Sequence, residues 1–234
     1  MANDQLLRFA SVAELNRALA DEISTRLKQS IETRESASLV VSGGTTPGPL
    51  FDELSGRELA WNKVTITLAD ERWVAATEDG SNEKLVRERL LKGRAAAAHF
   101  VPLKTDDARP EDAAPKVQRA IAALPRPFDV VLLGMGDDGH TASLYPDSPE
   151  LAQALDMSEP AMVLAVHADS AKATSVRITL TLRALLDARF IAILVRGKAK
   201  RDTLQKALDG DDVAQMPVRA VLVGPVPVQA YWSP

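Results

Sequence analysis

Val12, Leu15, Leu19, Ile23, Leu27 and Ile31 recur every three or four positions, which predicts a long amphipathic first helix. A short apolar run, Leu39-Val40-Val41, follows and empties into Ser42-Gly43-Gly44-Thr45-Thr46-Pro47. Pro47 suits a first helical position, so a helix opens there and carries Leu50, Phe51 and Leu54 inward. Residues 64–69 alternate as a strand that ends at Asp70-Glu71-Arg72-Trp73, and Ser81 caps a helix bearing Leu85, Val86, Leu90 and Leu91. The alanine-rich 95–98 reads as a helix end and 105–115 as a surface loop, with a helix over 111–124. Pro125 and Pro127 frame the way into an apolar run at 128–133. Further strands are predicted at 162–166, 177–180, 190–195 and 220–223, with helices at 181–188 and 198–208.

Strands alternating with helices argue for βαβ units. The expected fold is therefore Rossmann-like three-layer α/β, with an open, mostly parallel sheet and helices on both faces. No internal repeat, low-complexity tract or linker interrupts the chain, so its 234 residues are expected to form one domain, 1–234. A smaller subregion is expected near 140–180. The net charge of -4 gives no basic face for nucleic acid, and any phosphate chemistry must rest on a few placed cations. The absence of cysteine excludes a disulfide framework, a thiol nucleophile and a cysteine metal site. Neither a secretory signal nor a membrane-length apolar run is read, and a cytoplasmic protein is expected.

The chemistry concentrates where strands end. Residues 134–146 read GMGDDGHTASLYP directly after the run at 128–133. Gly134, Gly136 and Gly139 match the G-x-G-x-x-G spacing of a dinucleotide fold, but Asp137 and Asp138 put carboxylates where a pyrophosphate has to sit. The acidic residue expected after the next strand is also missing, since Glu159 precedes the run at 161–166. His140 is the candidate base: an aspartate bonded to one ring nitrogen fixes the tautomer and strengthens the other. Asp138, two residues earlier, can supply that carboxylate. Ser143 offers a possible nucleophile, without a G-x-S-x-G elbow around it. His99 and His167 read as structural or solvent-facing, and nothing has metal-ligand spacing.

Gly43, Gly44, Thr45 and Thr46 expose backbone N–H groups and hydroxyls beside a helix start, which suits an anion. The loop lacks the Gly-Lys-Ser/Thr ending of a nucleotide-binding loop, so a single phosphate fits it better than a triphosphate. Arg72, Arg177 and Lys200 are cations near strand ends, where several loops converge on one edge of a parallel sheet.

Taken in order, these segments resemble the 6-phosphogluconolactonase family, in the larger group that includes glucosamine-6-phosphate deaminase. The likeness runs nearly the whole chain: Ser-Gly-Gly-Thr-Thr-Pro at 42–47, Asp-Glu-Arg-Trp-Val at 70–74, Ser-Asn with Leu-Val-Arg within 81–87, GMGDDGHTASLYP at 134–146, Arg-Ile-Thr-Leu-Thr at 177–181 and Gly-x-x-Lys at 197–200. The stretch 171–176 lacks the prolines that the family often places before Arg177. The resemblance implies hydrolysis of 6-phosphogluconolactone to 6-phosphogluconate in the oxidative pentose phosphate pathway, without metal or organic cofactor. It implies that His140 is the general base and Asp138 its polar neighbour. Gly43, Gly44, Thr45, Thr46, Asp70, Arg72, Gly136, Arg177 and Lys200 then bind substrate or phosphate. Asp137 receives no role. The partner expected is the small-molecule substrate, with no nucleic acid and no membrane, and the chain is expected as a monomer or weak homodimer.

Two alternatives stay open on the sequence. An amino-sugar-phosphate deaminase shares the phosphate loop and the Asp-Gly-His turn, but follows its histidine with a segment ending Asn-Glu-Pro, where this chain has Thr-Ala-Ser-Leu-Tyr-Pro. A non-catalytic sugar-phosphate-binding module would keep the phosphate loop without needing the histidine.

Overall fold

A computed structural model describes residues 5–171 and 174–234. Its elements run β1 (Leu6–Arg8), α1 (Val12–Arg34), β2 (Ala37–Val41), α2 (Gly48–Ser55), β3 (Val64–Leu68), β4 (Asp70–Arg72), α3 (Asn82–Arg89), β5 (His99–Val101), α4 (Pro110–Ala122) and β6 (Val130–Leu133). They continue with α5 (Leu151–Leu155), β7 (Val163–His167), β8 (Val176–Leu180), α6 (Leu182–Leu186), β9 (Ile191–Arg196), α7 (Gly197–Leu208), α8 (Val218–Leu222) and β10 (Val228–Ser233).

The predicted first helix forms as the spacing requires. Ser11 caps it by accepting the Glu14 N–H, and the Glu14 carboxylate reaches back to the Ala10 N–H, so two unpaired donors of the helix start are satisfied. Leu15, Leu19, Ile23 and Leu27 are fully buried beneath it. Every residue of β2 and β6 is buried, which is why both read as continuous apolar runs rather than as alternation.

Seven strands make one sheet in the order β1-β10-β9-β6-β2-β3-β5, and all of its pairs are parallel. With the helices this is a Rossmann-like three-layer α/β fold. A second sheet, β4-β8-β7, is antiparallel, so the strands predicted near 162–166 and 177–180 leave the main sheet. It joins β4, which follows β3 directly, to the hairpin β7–β8, and so hangs a floor beside the carboxyl ends of the parallel strands.

One predicted strand is corrected. Residues 220–223 lie in and just after the helix α8, not in a strand, because Pro217 opens a helical turn and all of Val218–Leu222 is buried. Periodicity cannot tell a buried turn of helix from a buried strand over so few residues. Part of the loop predicted at 105–115 is helical from Pro110, and the alanine run falls in a 3-10 helix over Gly93–Ala97. The edge strands β1 and β5 and the long β10 were not predicted. Of the proline-free stretch 171–176, residues 172 and 173 lie outside the described residues.

Candidate active site

The sheet order places a topological switch between β2 and β6. After β2 the chain builds outward through β3 and β5, then returns to lay β6 on β2's other side and builds through β9 and β10. The loops leaving β2 and β6 therefore diverge, and a crevice opens beyond their carboxyl ends. A cleft of about 510 Å³ lies there. His140, Asp138, Gly136, Gly43, Gly44, Thr45, Thr46, Asp70, Arg72, Arg177 and Lys200 all line it. The structure thus brings together the candidate base, its carboxylate neighbour and every residue read as binding substrate or phosphate.

His140 is held by two residues, Asp138 and Tyr145. Its Nδ1 lies 2.6 Å from Asp138 Oδ1, and its backbone N–H donates to the same oxygen at 3.1 Å. Its ring stacks on Tyr145 with centroids 4.0 Å apart and planes 27° from parallel. The imidazole side chain stays 25% exposed, enough to meet a substrate. A carboxylate at Nδ1 favours the tautomer with its proton there and leaves the lone pair on Nε2. Burial works against the charge on Asp138, but the hydrogen bond from the ring, the charge of a protonated imidazole and the backbone N–H groups outweigh it. The Asp138 carboxyl is held below its ordinary range.

Gly136 exists for this pair. A Cβ at that position would sit 2.1 Å from His140 Nδ1 and 2.3 Å from Asp138 Oδ1. Gly136→Ala is expected to push the two side chains apart and lower turnover by about 10²-fold, the usual cost of misplacing a reacting group by an ångström. Steady-state kcat at unchanged melting temperature checks it. Gly139 takes φ 82, the left-handed region that glycine enters without penalty, and completes the turn.

Beneath the histidine lies a buried polar floor. The Asp70 carboxylate accepts the Ser143 hydroxyl at 2.6 Å and the Asn82 amide at 3.3 Å, and it pairs with Arg177 at 3.5 Å. Ser143 is fully buried with its hydroxyl turned to Asp70, so the serine-nucleophile option read from the sequence is not supported. The Arg177 guanidinium stands 5.3 Å from the Tyr145 ring centre, on a side chain 3% exposed. The neighbouring Glu71 is also buried. It accepts the backbone N–H groups of Arg72, Asn82 and Glu83 and the Ser81 hydroxyl, and so ties the start of α3 to β4. Desolvation nevertheless raises the Glu71 carboxyl above its ordinary value, against those hydrogen bonds.

On the other rim, Lys200 Nζ donates to the Met135 carbonyl at 2.8 Å and pairs with Asp137 at 3.0 Å. Asp137, given no role from the sequence, thus partners a cleft cation. Arg72 Nη1 donates to the Gly80 carbonyl at 2.7 Å. Gly43 has no room for a Cβ, which would overlap Asn82 Oδ1, and Gly44 adopts φ 93.

Asn82, Tyr145 and Arg196 line the cleft without having been singled out in the sequence. Tyr145 passes as core and Asn82 as the first residue of a capped helix, and only the tertiary fold carries the start of α3 to the site. Arg196 ends an apolar strand immediately before the Gly-x-x-Lys segment, and that position was the available signal. The other histidines stand apart from this cleft. His99 is exposed and contacts the Asn62 carbonyl, while His167 sits between Glu111 and Glu150. Among the described residues no cluster of three His, Asp or Glu side chains could hold a metal ion. No helix among them is long and apolar enough to cross a membrane.

Residues 10–232 match the family described as glucosamine-6-phosphate isomerases/6-phosphogluconolactonase. A 6-phosphogluconolactonase of Rhizobium meliloti is 44% identical over 227 residues, covering 97% of each chain. One from Mesorhizobium japonicum is 45% identical over 227 residues, covering 97% of this chain and 94% of that protein. A crystal structure of a 6-phosphogluconolactonase from Shewanella baltica superposes with a TM-score of 0.95 at 44% identity, covering 98% of this chain and 97% of that one. The chain belongs to the glucosamine-6-phosphate isomerase/6-phosphogluconolactonase family.

Proposed function

We propose that the chain hydrolyses 6-phosphogluconolactone to 6-phosphogluconate, the lactonase step of the oxidative pentose phosphate pathway. The observation that carries this reading is the His140–Asp138 pair, 2.6 Å apart on the rim of the cleft that the 42–46 loop also lines. Family membership and the 44% identity to curated 6-phosphogluconolactonases support it.

A lactone is an activated ester, so water needs only a base and relief of charge on the developing oxyanion. Nδ1–H of His140 donates to Asp138, and Nε2 takes a proton from water as it attacks C1. The tetrahedral intermediate collapses by breaking the bond from C1 to the ring oxygen. The imidazolium returns its proton to that departing oxygen, and the acid product leaves the base ready for another cycle. General-base catalysis of this kind contributes about 10²–10⁴, and a preorganised oxyanion donor adds about 10²–10³.

The phosphate lies remote from C1 and supplies binding energy that orients the ring. Backbone N–H groups of Gly43, Gly44, Thr45 and Thr46 at the approach to α2, with Lys200 across the cleft, suit a phosphate. Arg72 faces the same space. Asp70 and Arg177 serve the substrate as the buried floor on which the histidine's support rests. One domain over 1–234, active as a monomer or weak homodimer in the cytoplasm, is part of the same reading.

The decisive assay follows acid release from freshly made 6-phosphogluconolactone, corrected for spontaneous opening, in parallel with ammonia release from glucosamine 6-phosphate. Acid without ammonia is expected. Ammonia without acid assigns the chain to the deaminase branch, and neither product leaves only a sugar-phosphate-binding role.

A further inference from the structure

The hydrogen bond to Asp138 constrains His140 incompletely. It fixes where Nδ1 points, yet the imidazole can still tilt about the line joining Nδ1 to the carboxylate oxygen. Such a tilt sweeps Nε2 through the cleft, and a second contact is needed to fix the plane of the ring.

Tyr145 supplies that contact. Its ring lies 4.0 Å from the imidazole and 27° from parallel, a close stack. The phenol ring is itself immobilised, being only 5% exposed. The Arg177 guanidinium stands 5.3 Å from the ring centre. Arg177 is fixed in turn by Asp70, which holds Ser143 only two residues before Tyr145. The local chain path serves the same end. The Leu144 N–H donates to the Thr141 carbonyl at 3.0 Å, and Ala142 takes φ 49, a left-handed conformation uncommon for a residue with a Cβ. This tight turn folds residue 145 back under residue 140. Burial raises the Tyr145 phenol above its ordinary value, against the pull of the Arg177 charge, so the ring stays neutral.

We propose that Tyr145 is a positioning residue for the lactonase reaction: its ring, not its hydroxyl, sets the plane of the His140 imidazole and keeps Nε2 aimed at the attacking water. This rests on the reading of His140 as the base. The stack links the exposed base to the buried Asp70–Arg177 pair through one rigid ring.

The test compares Tyr145→Phe with Tyr145→Leu, using steady-state kinetics and proton NMR of the histidine rings. The chain has three histidines, so the His140 resonances are identified by their loss in His140→Gln. Tyr145→Phe keeps the stack and is expected within about twofold of the parent kcat, whereas Tyr145→Leu loses about 10²-fold in kcat with KM changed less than about threefold. The upfield ring-current shift of the His140 protons persists in Tyr145→Phe and collapses in Tyr145→Leu. If the leucine variant does not fold, Tyr145→Met, which fills a similar apolar volume without a ring, takes its place. Parent-like kcat in a folded variant whose ring-current shift is gone overturns the inference. Equal damage in Tyr145→Phe and Tyr145→Leu also overturns it, by assigning the effect to the hydroxyl. A fully active His140→Gln would instead sink the reading of His140 as base.

Discussion

His140→Gln lowers kcat for 6-phosphogluconolactone by about 10²–10⁴ and leaves KM nearly unchanged, since a proton taken only in the transition state adds little to ground-state binding. Glutamine keeps a polar group of similar reach but cannot accept a proton. The pH profile sharpens the expectation. Asp138 is held below its ordinary range, so it stays ionised over the interval in which an imidazole gains its proton. Turnover is expected to fall on acidification, because a protonated ring has no lone pair for water, and that fall does not report Asp138. The residual rate of His140→Gln is expected to be flat across that limb. Initial rates at constant ionic strength, corrected for spontaneous lactone opening, measure both. A variant that keeps both the parent kcat and the acid limb removes His140 from the mechanism.

The second large effect is on stability. Arg177→Met leaves Asp70 buried, charged and without its cation, because the two side chains are only 3% and 7% exposed. Removing one partner of a buried pair typically costs about 3–5 kcal/mol. For a chain of this size that lowers the melting temperature by roughly 6–20 °C. Adding Asp70→Asn to Arg177→Met removes the orphaned charge and is expected to recover part of the loss, since neutral replacement of both partners is far less costly than breaking the pair. Urea or thermal unfolding of the single and double variants decides it, and a single variant melting within about 2 °C of the parent contradicts the expectation. Because Tyr145 packs against Arg177, folded Arg177→Met also turns over more slowly at temperatures well below its transition.

Much of this architecture was legible in residue order. The first helix showed itself through six apolar positions, and the central strands through apolar runs ending at glycine-rich loops. The strand at 220–223 failed for a physical reason. Ala220, Val221 and Leu222 are buried on every side, so no polar face reveals the helical period. The strand β10 escaped notice because Pro225, Pro227 and Pro234 crowd its ends and read as loop. The antiparallel β4-β8-β7 sheet was hidden because β4 is distant in sequence from the β7–β8 hairpin and no local pattern encodes their pairing.

The site divided along the same line. Residues whose chemistry is explicit, a histidine among glycines or cations at strand ends, could be named in advance. Those that act through packing could not. Tyr145 looks like core, and Asn82 looks like the first residue of an ordinary capped helix until Glu71 and Asp70 fix it against Gly43. Glu71 is one of three consecutive charges at a strand end, yet it is fully buried and organises four donors.

The turn that carries the histidine is also braced from behind. The Val218 N–H donates to the Gly139 carbonyl at 2.9 Å, and a Cβ on Gly139 would meet Met216 at 2.8 Å. The position of His140 therefore has a handle directly behind its turn. Side-chain changes at 216 press on the rear of the turn without touching any ligand, which gives drift or laboratory selection a gradual control over the base while the reacting groups stay intact.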